Sequence, residues 1–119
     1  MNRDRLLFDA KNVALGLVGV GYRAPAQRTD IPAPGESVLA TLKLGVYMMR
    51  EGEFISDHDV KVANKLATVL TGGGVTAGVP ISEEYLLDLE REAFLSLCGE
   101  PKTMERVAFT LKTGKPLRN

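Results

Sequence analysis

Among its 119 residues the sequence has one cysteine, one histidine, no net charge and no long apolar run. Each shortage removes a class of function. Cys98 alone forms no internal disulfide, which fits a reducing compartment. His58 has no second imidazole to join it in a metal site, and no serine and aspartate stand at a spacing that would make a catalytic triad with it. The 15 basic and 15 acidic residues create no global field for nucleic acid or an anionic membrane. No segment approaches the roughly 18 apolar residues that span a bilayer. The N-terminus, MNRDRLLFDAK, acquires acid at Asp4 and Asp9 and has no continuous apolar stretch, so it is not a secretory signal. These absences point to a soluble, cytoplasmic protein. Charge balance fails only at the end, where Lys112, Lys115 and Arg118 meet no acid but the C-terminal carboxylate.

What is present is ordinary globular material, 45% hydrophobic and 25% charged. The length allows one domain burying roughly two-thirds of its unfolded surface. Asp4 is placed to cap a first helix, in which Leu6, Leu7, Ala10, Val13, Ala14, Leu17 and Val18 recur at helical spacing until Gly19 and Gly21. Pro25, Pro32 and Pro34 make a non-helical connector. A second helix fits Glu36 to Arg50, with Gly52 as its stop. Ser56 and Asp59 form a capping-box pattern before a third helix, whose buried face is expected at Val60, Ala63, Leu66, Ala67 and Leu70. Gly72, Gly73 and Gly74 close it, and residues 75–81 read as an extended connector. Ser82 caps a fourth helix with Glu83 and Glu84 at the favourable end of its dipole. Its apolar side is Leu86, Leu89, Ala93 and Leu97 with Tyr85 and Phe94. Gly99 reads as the residue just past its end, and Pro101 as the first residue of a fifth helix that runs to Gly114. No stretch alternates, so a sheet is not expected. The reading is all-α: about five helices joined by short turns, in a single helical domain over 1–119.

Few residues suggest chemistry. Asp57, His58 and Asp59 are neighbours on a helix, diverging by about 100° each, so they do not converge on a metal or a substrate atom. A solvated first turn is the expectation. Gly72–Gly74 follows a helix instead of leading into one, and lacks the lysine of a phosphate loop, so it reads as a helix cap. Glu90 and Glu92 lie about 200° apart on their helix and cannot share one substrate atom. Arg91 is one turn from Asp88 and can pair with it. Cys98 reads as an inert buried thiol. Phe109 and Lys112 have the better claim. Three apart on the last helix, they share a side, where a ring could press on a flat base and a cation could sit near a phosphate.

That last helix also carries a resemblance. LEREAFLSLCGEPKTMERVAFTLKTGKPLRN is similar to the C-terminal helices of the crotonase (enoyl-CoA hydratase/isomerase) superfamily. It resembles more closely the end of bacterial bifunctional 3-hydroxyacyl-CoA dehydrogenases that carry a hydratase-like region. GYRAPAQRTDIPAPG, MMREGEFISDHDVKVANKLATVLTGG and PISEEYLLDLEREAFLSL extend the likeness over nearly the whole chain. The resemblance implies that Phe109 and Lys112, in AFTLK, contact coenzyme A, often that of a neighbouring subunit. It implies a parent enzyme of fatty-acid β-oxidation using NAD and acyl-CoA substrates, whose oxyanion hole, catalytic glutamates and dinucleotide turn would lie before Met1. It also implies that Gly114–Asn119 is the family's natural C-terminus.

On this reading the chain is the C-terminal part of a larger multidomain enzyme and has no activity alone. It would bind no cofactor by itself, cover the parent's core and make homo-oligomer contacts through apolar helix faces. A different reading is an independent helical interaction or oligomerisation module. A third, a small enzyme using Asp57, His58 and Asp59, would lose its activity on replacing His58.

Overall fold

A computed structural model describes residues 5–119. Five helices lie among the described residues: α1 Leu6–Gly19, α2 Gly35–Glu51, α3 Asp57–Leu70, α4 Glu83–Cys98 and α5 Pro101–Thr113. The all-α reading holds, with one addition. Two short strands, β1 Ile31–Pro32 and β2 Pro80–Ile81, pair antiparallel, with Ile31 opposite Ile81 and Pro32 opposite Pro80. Strands this short leave no alternation for sequence reading to find. The expected cap at Asp4 lies outside the described residues; the position before α1 is Arg5, whose side chain makes no cap bond.

Helix ends follow local chemistry. Ser56 Oγ accepts from the Asp59 N–H while the Asp59 carboxylate accepts from the Ser56 N–H, a complete capping box. Ser82 Oγ accepts from the Tyr85 N–H at 3.0 Å, and Pro101 stands at the start of α5. α1 and α3 close by the same device. Gly21 and Gly72 adopt positive φ while the next amide reaches back to a carbonyl five residues earlier, Tyr22 to Leu17 and Gly73 to Thr68. α2 uses this device too, with Phe54 reaching Met49, but its left-handed residue is Glu53 (φ 58°), not Gly52. Gly99 differs from expectation as well: its φ of −74° is right-handed.

The core is small, and it sits where the connectors cross. Ala33, Ala67, Thr71 and Ile81 are buried, and so are Gly35, Gly72 and Gly73. Backbone bonds stitch this junction together: Gly35 N–H to Thr71 O, Glu36 N–H to Val75 O, Ala33 N–H to Val79 O and Gly78 N–H to Ala33 O. Glycine is required at position 35. Its φ is +79°, and a side chain would run into the Ala77 backbone, with Cα at 2.6 Å. Thr71 returns its hydroxyl proton to Ala67 O at 2.8 Å, so its polarity costs little.

Outside the junction, packing is incomplete. The radius of gyration is 19.7 Å, against about 13–14 Å for a compact chain of this length. Accessible surface is 9246 Å², against about 6,300 Å² for a compact monomer of 12.9 kDa. Every described residue from Arg5 to Asp30 is exposed, α1 included. The expected faces of the other helices are only half covered. On α3, Ala67 is buried and Val60 and Ala63 half-buried, but Leu66 and Leu70 are exposed. On α4, Leu86, Leu89, Ala93 and Leu97 are half-buried while Phe94 is 64% exposed. Periodicity placed only part of the buried side; Leu66, Leu70 and Phe94 stand exposed beside the covered residues.

Candidate functional site

α5 carries the two residues that the last-helix pattern singles out. Phe109 is half-buried and Lys112 exposed in the last turn, where the helix dipole favours a cation. Gly114, at φ 69°, then reverses the chain. The Thr113 hydroxyl donates to the Phe109 carbonyl at 2.8 Å and accepts from the Lys115 N–H at 3.2 Å. Residues 115–119 return alongside α5, because Asn119 reaches its first half: Asn119 Nδ2 donates to Glu105 Oε2 at 2.8 Å and to the Lys102 carbonyl at 3.3 Å.

Polar side chains seat this unit on the first turn of α3. Arg106 Nη1 meets Asp59 Oδ1 at 2.7 Å. Its Nε donates to Asn119 Oδ1 at 2.7 Å and its Nη2 to the Asn119 backbone oxygen at 3.2 Å. Ser56 Oγ lies 2.9 Å from that same oxygen and 3.0 Å from Asp59 Oδ2, so its one proton serves either acceptor. Lys61 Nζ bonds Glu100 at 2.7 Å, and His58 Nε2 bonds Thr103 Oγ1 at 3.0 Å. The Ser56 amide and Arg106 hold the Asp59 carboxyl down at about 2. Lys61 likewise lowers Glu100, and Arg50 lowers the fully exposed Asp57.

The three residues Asp57, His58 and Asp59 therefore diverge, as helical spacing requires. Asp57 turns to Arg50, His58 to α5, and Asp59 to Arg106. The expectation of a solvated first turn is corrected at His58, which is 2% exposed. The physical cause is the start of α5, which lies over this turn and carries Thr103 to the imidazole. Among the described residues no group of three or more His, Cys, Asp or Glu is placed to hold a metal ion. Glu90 and Glu92 are exposed, and Arg91 pairs with Asp88 at 2.6 Å. Cys98 is half-buried, less than expected. Gly72 and Gly73 form no cradle: a Cβ on Gly72 would sit 2.9 Å from Ile81 Cδ1.

Two open hollows lie elsewhere. One, of about 880 Å³, is lined by Phe54, Ile55, Asp57, Lys102 and Arg118 among others, with both charge signs. The other, of about 780 Å³ between α3 and α4, is apolar and includes Leu66, Leu70, Leu87, Phe94 and Leu97. Neither Phe109 nor Lys112 lines them. Sequence reading missed Arg106 and Asn119; an arginine in mid-helix and a terminal asparagine give no signal that they will meet.

Comparison with known proteins adds to this geometry. The chain is similar along its whole length to part of an enzyme. It is 49% identical over 119 residues to a probable 3-hydroxyacyl-CoA dehydrogenase of Bacillus subtilis (strain 168). The match takes in 100% of this chain and spans only 15% of the length of that relative. No protein-family model matches, and no solved structure matches with significance. No helix among the described residues is long and apolar enough to cross a membrane.

Proposed function

We propose that this chain is the C-terminal helical segment of a fatty-acid β-oxidation enzyme, a 3-hydroxyacyl-CoA dehydrogenase carrying an enoyl-CoA hydratase-like region. The carrying observation is the 49% identity over every residue of the chain to a small part of a much longer relative. The open structure supports the same reading. An excess of about 3,000 Å² of surface, much of it apolar on α1, α3 and α4, is what a piece looks like without the rest of its fold.

In such an enzyme the segment covers the catalytic core and contributes one edge of the coenzyme A site. Phe109 presents a ring to the flat adenine, and Lys112 a cation to phosphate. Among the described residues no glycine-rich turn leads directly into a helix, as dinucleotide binding would need. The glycine run ends α3 and packs into the junction, and the next helix, α4, starts only at Glu83, beyond β2. The hydride step therefore belongs to other parts of the parent, and the pure 119-residue chain turns over neither crotonyl-CoA nor a 3-hydroxyacyl-CoA.

An immunoblot of the source cells with an antibody against this chain tests the reading. The expected band is several times heavier than 12.9 kDa. A band at 12.9 kDa alone overturns it in favour of a free-standing helical interaction module, for which the exposed apolar groove between α3 and α4 would be the first surface to study.

A further inference from the structure

α5 owes little of its placement to burial: none of its residues is buried. The stretch that carries Phe109 and Lys112 is instead tied by a circuit of hydrogen bonds and chain. It starts at the Phe109 carbonyl and passes through the Thr113 hydroxyl to the Lys115 amide. It follows the returning strap to Asn119 and comes back to α5 through Arg106, one turn before Phe109. Arg106 closes this circuit and also fastens it to α3, since its third donor takes Asp59. These contacts, with a longer one from Nη2 to Ser56 Oγ at 3.5 Å, use the planar, fixed geometry of the guanidinium, which a lysine cannot reproduce.

We propose that Arg106 is the positioning residue of the coenzyme A edge. It touches no ligand. It sets the angle of α5 on α3 and pins the strap, so that Phe109 and Lys112, already fixed to each other by the helix, stand in a fixed relation to the rest of the molecule. The inference rests on the reading of Phe109 and Lys112 as coenzyme A contacts.

The test is a titration of the isotope-labelled 119-residue chain with millimolar coenzyme A, followed by amide NMR shifts. Wild type is expected to show saturable shifts at Phe109 and Lys112. Arg106→Lys is expected to weaken binding about tenfold with helix content unchanged, and to move the Lys115 and Asn119 resonances toward random-coil positions. The same substitution in a Phe109→Ala, Lys112→Ala background is expected to change the residual affinity no further, a coupling that general destabilisation would not produce. Removal of residues 117–119, which leaves Arg106 and Asp59 intact, is expected to reproduce the weakening and covers the case in which Arg106→Lys fails to fold. Unchanged affinity in both variants, with the strap released, overturns the positioning role and leaves the coenzyme A reading standing. Absence of shifts at Phe109 and Lys112 in wild type overturns that reading and this inference with it.

Discussion

The two ends of α3 are held by different physics. At its C-terminal end, Ala67 to Gly73 meets β1, β2 and the start of α2 through backbone hydrogen bonds, small side chains and glycines in left-handed conformations. No buried side chain there is charged. At its N-terminal end, Ser56 to Lys61 meets α5 and the strap through a capping box, Lys61–Glu100, Asp59–Arg106 and the His58–Thr103 bond. The first kind of contact tolerates almost no change of shape and is indifferent to pH and salt. The second tolerates shape change but depends on charge. A fold can thus place a rigid junction at one end of a helix and a tunable one 13 residues away.

The sharpest way to break the rigid end is Gly35→Ala. A methyl group would meet the Ala77 backbone at a φ of +79°, and backbone has no rotamer by which to retreat. The expected loss is about 3 kcal/mol or more, read as a lowered urea midpoint.

The polar end is expected to respond to acid. Asp59 has its carboxyl held at about 2, below the ordinary 3.8. A depressed carboxylate stabilises the fold above its unfolded value and ceases to do so as pH falls through its folded value. The contribution of about 2 kcal/mol is therefore present above about pH 4 and lost between about pH 4 and 2. Asp59→Asn should cost about 1–2 kcal/mol near neutrality, with the gap from wild type closing across that window in pH-resolved thermal melts. A gap that persists at pH 2 would mean that shape, not charge, holds this end.

The smallest effect sharpens the comparison from the other side. Glu53 occupies a left-handed position at the end of α2, beside the polar end, that α1 and α3 give to glycine. Glu53→Gly is expected to raise stability by about 0.5–1 kcal/mol in the same denaturation assay, by relieving backbone strain. No gain would show that the Glu53 side chain repays its strain.

How much of this was legible in the sequence follows from the range of each interaction. The capping box of Ser56 and Asp59, the cap at Ser82, the proline opening α5 and the glycine after it act within four residues, and all were readable. The Asp88–Arg91 pair was readable for the same reason. The apolar sides of α3 and α4 were readable as sides, but not their exposure, because periodicity says which face avoids water and not whether anything covers it. Phe109 and Lys112 could be named from the residue pattern of one helix.

What the sequence by itself determined is the list of helices, most of their ends and where their apolar residues line up, because these arise from local backbone geometry and capping. Only the tertiary structure decided that Gly35 touches Ala77, that His58 is closed in by Thr103, and that Arg106 joins Asp59 to Asn119. Those contacts join residues 13 to 47 positions apart. They exist only once the connectors have crossed and the helices have been laid against one another, and no local preference encodes that event.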